Sequence, residues 1–241
     1  MERNLMIDRT HIDLTVNQLP QLLAIAGHTI EQLQAGHARD EYGSEAQIIA
    51  TISETEHRII RRYADAVPDL PAVLAWCQTL IATAQVEQAR RHNLQPFITT
   101  GPSLLLVGPT GVGKTHQAYG TVRLIACHGV RSMWKAIPAA DLYALLRPRH
   151  GVDSEAEFRK FADARLLLVD DIGAAKSSEW IEEVNYRLVN HRYERELPTV
   201  FTSNLAATQL GAILGDRVYS RLIEMCQLVP IKGIDRRRAA A

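Results

Sequence analysis

Only three cysteines occur in the 241 residues, Cys77, Cys127 and Cys226, each far from the others. They make neither a disulfide framework nor a Cys-x-x-Cys metal site, and are expected as buried small hydrophobes in a reducing compartment. Long apolar runs are lacking too. A bilayer-spanning helix needs about 20 apolar residues, so no membrane association is expected. The opening residues 1–8 lack the apolar core and small-residue cleavage site of a secretory signal, and the expected location is the cytoplasm. Net charge is absent, with 27 basic against 27 acidic side chains. Lysine is scarce: Lys114, Lys135, Lys160, Lys176 and Lys232 are all there is, so the positive surface is guanidinium, suited to bidentate phosphate contacts. The balance is also uneven. Residues 1–92 hold 8 basic and 12 acidic side chains, the remainder 19 and 15. That imbalance permits a nucleic-acid surface in the second part without demonstrating one.

What is present is organised around Gly108-Pro109-Thr110-Gly111-Val112-Gly113-Lys114-Thr115, which fits G-x-x-x-x-G-K-[ST] at every specified position. The glycines let successive N–H groups turn inward on phosphate oxygens. Lys114 is expected to reach the β- and γ-phosphates of a nucleoside triphosphate, and the Thr115 hydroxyl to bind the accompanying Mg²⁺. The flanks suit the motif: Leu104-Leu105-Leu106-Val107 reads as a buried parallel strand, and residues 115–126 carry a helical pattern.

Residues 1–92 read as helical. One helix is expected over 18–34, a second from a Ser44-to-Gln47 capping box, and a third capped by Asp69 with Pro71 in its first turn. Together they predict a small bundle, a partner-binding domain, joined near residue 92 to a second domain over 93–241. From Ser103 onward strands and helices alternate, predicting an α/β fold with a parallel sheet sandwiched by helices. A strand is expected over 131–137, then an insertion over 139–164 with two short helices, a buried strand ending in Asp170-Asp171, a helix over 178–195, and a strand over 198–202 with Asn204 beyond its tip.

Asp170, after four apolar residues, is expected to hold Mg²⁺ through water. Asp171 stands where P-loop NTPases commonly carry Glu to orient the attacking water; being one methylene shorter, it predicts slow turnover. Asn204 is a neutral donor placed to sense a γ-phosphate. Arg217 and Arg221, four apart, share a helix face.

In this order and spacing, the phosphate loop, Leu-Leu-Val-Asp-Asp-Ile-Gly, Thr-Ser-Asn and Arg-Val-Tyr-Ser-Arg-Leu resemble an AAA+ ATPase of the initiator and helicase-loader clade. The chain looks most like the DnaC-type loaders and next like the IstB-type transposition ATPases, over about residues 95–235. By that resemblance Arg221 is the arginine finger that reaches a nucleotide bound by the adjacent subunit, with Arg217 its companion, so a homo-oligomer is implied. A helical lid is expected to be absent or vestigial, since about ten residues follow Ile231. The zinc-binding front domain of some relatives is excluded by the cysteine count.

The resemblance implies an ATP-dependent loader of a replicative helicase. Its residues 1–92 would grip the helicase and its ATPase domain would assemble on single-stranded DNA, with Lys135, Arg147 and Arg149 as candidate phosphate contacts and Trp134 and Tyr143 as the available stacking aromatics. An IstB-like ATPase assisting a transposase on duplex DNA is the alternative. A small-molecule kinase is disfavoured, because such enzymes complete the site with arginines of their own lid.

Overall fold

The computed structural model describes residues 12–40, 42–92, 95–149, 151, 153–176 and 178–236. Residues 1–8, where no secretory signal is expected, lie outside the described residues. Five strands form one parallel sheet: β1 (Ser103–Val107), β2 (Lys135–Pro138), β3 (Leu167–Asp170), β4 (Thr199–Ser203) and β5 (Cys226–Pro230), in the order β2-β3-β4-β1-β5. Because side chains alternate across a strand, Leu104 and Leu106 face one layer and Leu105 and Val107 the other. Both faces are covered, which is why β1 reads as an unbroken apolar run rather than an alternating one.

One layer is built on α5 (Lys114–Cys127), whose Ala118, Val122 and Ile125 meet the sheet. Of the front helices, α1 (Leu19–Ile25), α3 (Ser44–Glu56) and α4 (Pro71–Arg91) lie against α5, and α2 (Ile30–Arg39) packs on α3. Leu22, Leu23, Ile52, Trp76 and Leu80 of these helices belong to the same apolar cluster as Leu104, Val122 and Val200. The front helices therefore share one core with the sheet, and among the described residues no second core closes at residue 92. Arg123 of α5, fully buried, fastens them: Nε donates to Glu56 Oε1, Nη1 to Ala66 O and Nη2 to Asn17 O, each at 2.7 Å. Gly120, one turn earlier, lets the 67–68 backbone approach; a Cβ there would lie 2.6 Å from Pro68 N.

The opposite layer holds α6 (Ala139–Leu146), α7 (Ser154–Ala162), α8 (Glu179–Glu194), α9 (Ala207–Leu214) and α10 (Asp216–Met225). The insertion's two short helices are thus α6 and α7. His150, in the connector between them, lies outside the described residues.

Several local expectations are corrected. The helix expected over 18–34 is two helices, broken where Gly27 takes φ 81° and Thr29 starts α2 with a capping box to Gln32. The Ser44-to-Gln47 box does not form, because Gly43 takes the N-cap position and the Ser44 hydroxyl turns to Glu45. Asp69 does not cap α4; Leu70 occupies that place, and the Asp69 carboxylate accepts from Gln117. The strand expected from 131 begins at Lys135, since Met133 adopts φ 43° and Arg131 makes only an isolated bridge with Phe97.

Candidate functional site

Register assembles the site. Pairing Val107 with Ser203 makes Gly108 and Asn204 leave the sheet side by side, and pairing Val169 with Phe201 sets Asp170 level with Thr202. All lie at the carboxyl ends of parallel strands, where open α/β sheets bind ligands. Between β1 and α5 the loop turns tightly. Gly113 takes φ 101° as the N-cap of α5, and Gly108 takes φ 156° where an added Cβ would lie 2.2 Å from Ile231 O. Lys114 folds back so that its ammonium donates to Gly108 O at 2.7 Å, Pro109 O at 2.8 Å and Asn204 Oδ1 at 2.7 Å. Val112 points into the core at 2% exposure, anchoring the loop, while Thr110, Gly111, Gly113 and Thr115 line the cavity. The amino end of α5 aims its unpaired N–H groups and positive dipole at the same space, an arrangement suited to anions.

The acidic half is cross-linked to the loop. Thr115 Oγ1 donates to Asp170 Oδ1 at 2.9 Å, and Thr202 Oγ1 donates to the same oxygen at 2.6 Å. Asp171 N–H donates to Thr202 Oγ1 at 2.9 Å, and Asn204 Nδ2 donates to Asp171 Oδ1. One carboxamide thus joins Lys114 to Asp171. Asp171 sits at φ 60°, a left-handed conformation unusual for a side chain other than Asn or Asp. Burial first, then the adjacent Asp170 charge, push its carboxyl above the usual 3.8, against the opposing pull of Lys114 and the Asn204 backbone. A hydroxyl and a carboxylate oxygen converging beside a phosphate loop are the hard donors Mg²⁺ takes, one or two from protein and the rest from phosphate and water. Among the described residues there is no cluster of three or more His, Cys, Asp or Glu for a metal held by protein alone.

The cavity measures about 580 Å³, and six of its fourteen lining residues were not foreseen. Arg62, Tyr63 and Asp65 come from a short 3₁₀ turn, Arg61–Tyr63, and the residues just after it, between α3 and α4. Tyr63 stacks on Tyr119 of α5 with ring centroids 4.6 Å apart. His116, Thr202 and Arg236 complete the wall. Burial lowers the His116 pKa, favouring the neutral ring, whose Nε2 accepts from Val67 N–H at 3.3 Å. Thr202 had a readable signal, a hydroxyl inside an apolar strand two residues before Asn204. The 3₁₀ turn had none, since nothing local pairs Tyr63 with a residue 56 positions on.

Arg217 and Arg221 are not brought to this cavity. Arg217 is exposed on α10, and Arg221 lies over the rings of Tyr186 at 5.2 Å and Tyr193 at 5.7 Å, its Nη1 donating to Arg217 O. The candidate stacking aromatics are unavailable. Trp134 is 4% exposed, and Tyr143, 5% exposed, donates its hydroxyl to Asn185. Arg147 lies over Trp180 at 5.4 Å and Lys135 over Phe161 at 5.9 Å. No helix among the described residues is long and apolar enough to cross a membrane.

Comparison with known proteins narrows the assignment. A sequence profile of the family described as IstB-like ATP binding protein matches residues 79–240. The insertion sequence IS21 putative ATP-binding protein of Pseudomonas aeruginosa is 31% identical over 145 residues, 57% of this chain and 53% of that protein. The replicative helicase loader DnaI of Bacillus subtilis is 30% identical over 111 residues, 46% of this chain and 35% of that one. The chain thus spans about half of the first relative's length and about a third of the second's. A crystal structure of the DnaC helicase loader superposes with a TM-score of 0.56 at 26% identity, covering 72% of this chain and all of that one.

Proposed function

Since the chain belongs to the family of IstB-like ATP-binding proteins, we propose that it is an ATP-operated switch, assembled from several copies on DNA, that delivers a partner protein there. ATP occupies the cavity with its β- and γ-phosphates at Lys114 and the loop amides, and Mg²⁺ is held by Thr115 and, through water, Asp170. Asp171 takes the proton of the attacking water, and Asn204, already bonded to Lys114 and Asp171, registers whether a γ-phosphate is present. Turnover is slow, because the Asp171 carboxylate is short for its task.

The observation that carries this reading is the separation of Arg217 and Arg221 from their own chain's cavity. A site with a single loop lysine and no arginine from α10 is completed when a neighbour supplies one, and ATP then holds two copies together until it is cleaved. The partner is a replicative helicase, gripped through residues 1–92, and the DNA is single-stranded. Support for that choice comes from the DnaC likeness over the whole of that loader chain. The 31% identity to the IS21 protein favours a second reading, an ATPase assisting a transposase on duplex DNA. Binding to duplex and to single strands at one fixed salt concentration separates the two.

The switch itself is tested by mixing. Lys114→Ala and Arg221→Ala proteins are each expected to hydrolyse ATP poorly, and a mixture of the two to regain activity, because one supplies the site and the other the arginine. Wild-type hydrolysis by Arg221→Ala alone would overturn the reading.

A further inference from the structure

Arg123 and Arg192, both fully buried, donate from all three guanidinium nitrogens. In Arg192 of α8, Nε reaches Thr199 Oγ1, Nη1 reaches Ala162 O and Ala164 O, and Nη2 reaches Pro198 O. Arg221 of α10 is different. Its Nη1 donates to Arg217 O at 3.1 Å, but its Nε is buried with no hydrogen-bond partner among the described residues. Where Arg123 has the Glu56 carboxylate at 2.7 Å, Arg221 has ring faces: its Cζ lies 5.2 Å from the centroid of Tyr186 and 5.7 Å from that of Tyr193. The two tyrosines stand seven residues apart, two turns along one face of α8, and α8 packs on α10. Tyr193 is also tied down at its far end. Its hydroxyl donates to Glu224 Oε1 at 2.6 Å, so the ring under Arg221 is fixed to the helix that carries Arg221.

A cation on an aromatic face is attracted without being neutralised. Stacking occupies the flat face of the guanidinium, whereas a carboxylate would take the in-plane N–H donors that a phosphate needs. Arg221 is therefore confined, charged and short of acceptors. An unmade bond at a buried N–H is costly, and a phosphate oxygen is the kind of acceptor that relieves it. From this we propose that Tyr186 and Tyr193 are positioning residues, which together hold the Arg221 guanidinium un-neutralised and ready for the triphosphate of an adjacent copy. The inference rests on the reading above, in which Arg221 completes a neighbour's site, and adds how the chain prepares it. A free arginine side chain loses much rotamer freedom when its head is fixed. The rings remove part of that freedom before the neighbour arrives. Their effect therefore falls on hydrolysis in the assembled state, and it belongs to the copy that supplies the arginine rather than to the copy that holds the nucleotide.

The test is ATP hydrolysis by full chains mixed in pairs, Lys114→Ala supplying the arginine and Arg221→Ala the nucleotide site. Tyr186→Leu with Tyr193→Leu, placed in the Lys114→Ala chain, is expected to cut the restored rate about tenfold or more. The same two changes placed in the Arg221→Ala chain are expected to leave it unaltered, because no arginine there needs holding. Tyr186→Phe and Tyr193→Phe keep the ring faces and are expected to retain most of the rate in either chain. Tyr186→Leu alone, which spares the bond of Tyr193 to Glu224, is the milder change and is expected to show the same asymmetry. Equal loss in both placements would make the rings supports of the fold, and no loss in either would detach Arg221 from them; each result overturns the inference and leaves completion by a neighbour standing. If Lys114→Ala and Arg221→Ala do not restore one another, the reading of Arg221 itself fails, and this inference goes with it.

Discussion

Asp170 and Thr202 meet across the seam between β3 and β4, the threonine hydroxyl donating to the carboxylate at 2.6 Å. The same hydroxyl accepts the N–H of Asp171 at 2.9 Å, so one side chain fixes both acidic residues: the first through its carboxylate, the second through its backbone. This matters because Asp171 is held in a left-handed conformation that neighbouring bonds must maintain.

Thr202→Val keeps the shape and removes the hydroxyl. The Asp171 N–H loses its partner, and Asp170 keeps only the Thr115 hydroxyl on Oδ1. A loss of about 1–3 kcal/mol in unfolding free energy is expected. ATP hydrolysis is expected to fall about tenfold or more as Asp171 loses its aim, while nucleotide binding without Mg²⁺ stays near wild type. Denaturant unfolding and steady-state hydrolysis read the two effects; unchanged hydrolysis would show that Asp171 is positioned by other bonds.

Asp171→Asn separates charge from geometry, because Asn tolerates φ 60° as Asp does. Loss of the base is expected to cost about 10²–10⁴ in hydrolysis with binding retained. The stability effect has the opposite sign. Burial and Asp170 raise the folded-state pKa of Asp171 above its unfolded value, so its contribution is complete below the unfolded pKa and is lost as pH rises through the folded one. At neutral pH the ionised carboxylate is a liability. The variant is therefore expected to be more stable than wild type there, the gap closing in acid. Thermal melts across pH without nucleotide check this, and a gap that widens in acid would contradict it.

How much of this was written in the sequence depends on whether a feature is local. The phosphate loop and the Asp170-Asp171 pair could be read directly, because backbone demands fix glycines at set positions and a buried strand must end where carboxylates reach water. Apolar spacing across Gly27 looked continuous, yet the Thr29-Gln32 box breaks the helix there; caps compete, and spacing alone does not rank them. The wall built by Arg62, Tyr63 and Asp65 depends on the 66–69 segment docking on α5 at Gly120 and Gln117, a long-range fit without a periodic trace. β5 was hidden for another reason: as an edge strand it leaves Gln227 and Leu228 exposed, so it lacks the apolar run of its neighbours.

Arg123→Met tests the shared core. Removing the guanidinium strands Glu56, whose pKa burial already raises despite Arg123, and leaves Ala66 O and Asn17 O without their donor. Breaking a buried pair on one side costs about 3–5 kcal/mol. One cooperative unfolding transition, shifted to lower denaturant, is expected, with partial recovery on adding Glu56→Gln. A separate early transition for the front helices would show that they fold apart from the sheet. Capture of the proposed partner is accordingly best measured with the full chain, because the front helices and α5 belong to one apolar cluster.

A surface for the proposed DNA binding depends on which aromatic and cationic groups face solvent. With Trp134 and Tyr143 buried, base stacking cannot rest on them, and the proposed DNA binding would rest on guanidinium groups against phosphate. Arg147 and Arg149 flank Pro148 at the end of α6, both exposed. Arg147→Ala with Arg149→Ala is expected to weaken binding uniformly across sequences and to reduce the slope of log affinity against log salt by about 1 for each phosphate that is no longer neutralised. Trp134→Phe, by contrast, is expected to leave affinity and slope unchanged and to lower the melting temperature, since its ring packs edge-on against Tyr119 at 6.1 Å and beneath the Arg58 guanidinium at 4.8 Å. Salt titrations of fluorescence anisotropy on an oligonucleotide distinguish these outcomes. A reduced slope for Trp134→Phe, or an unaltered one for the arginine pair, would move the DNA surface away from the end of α6.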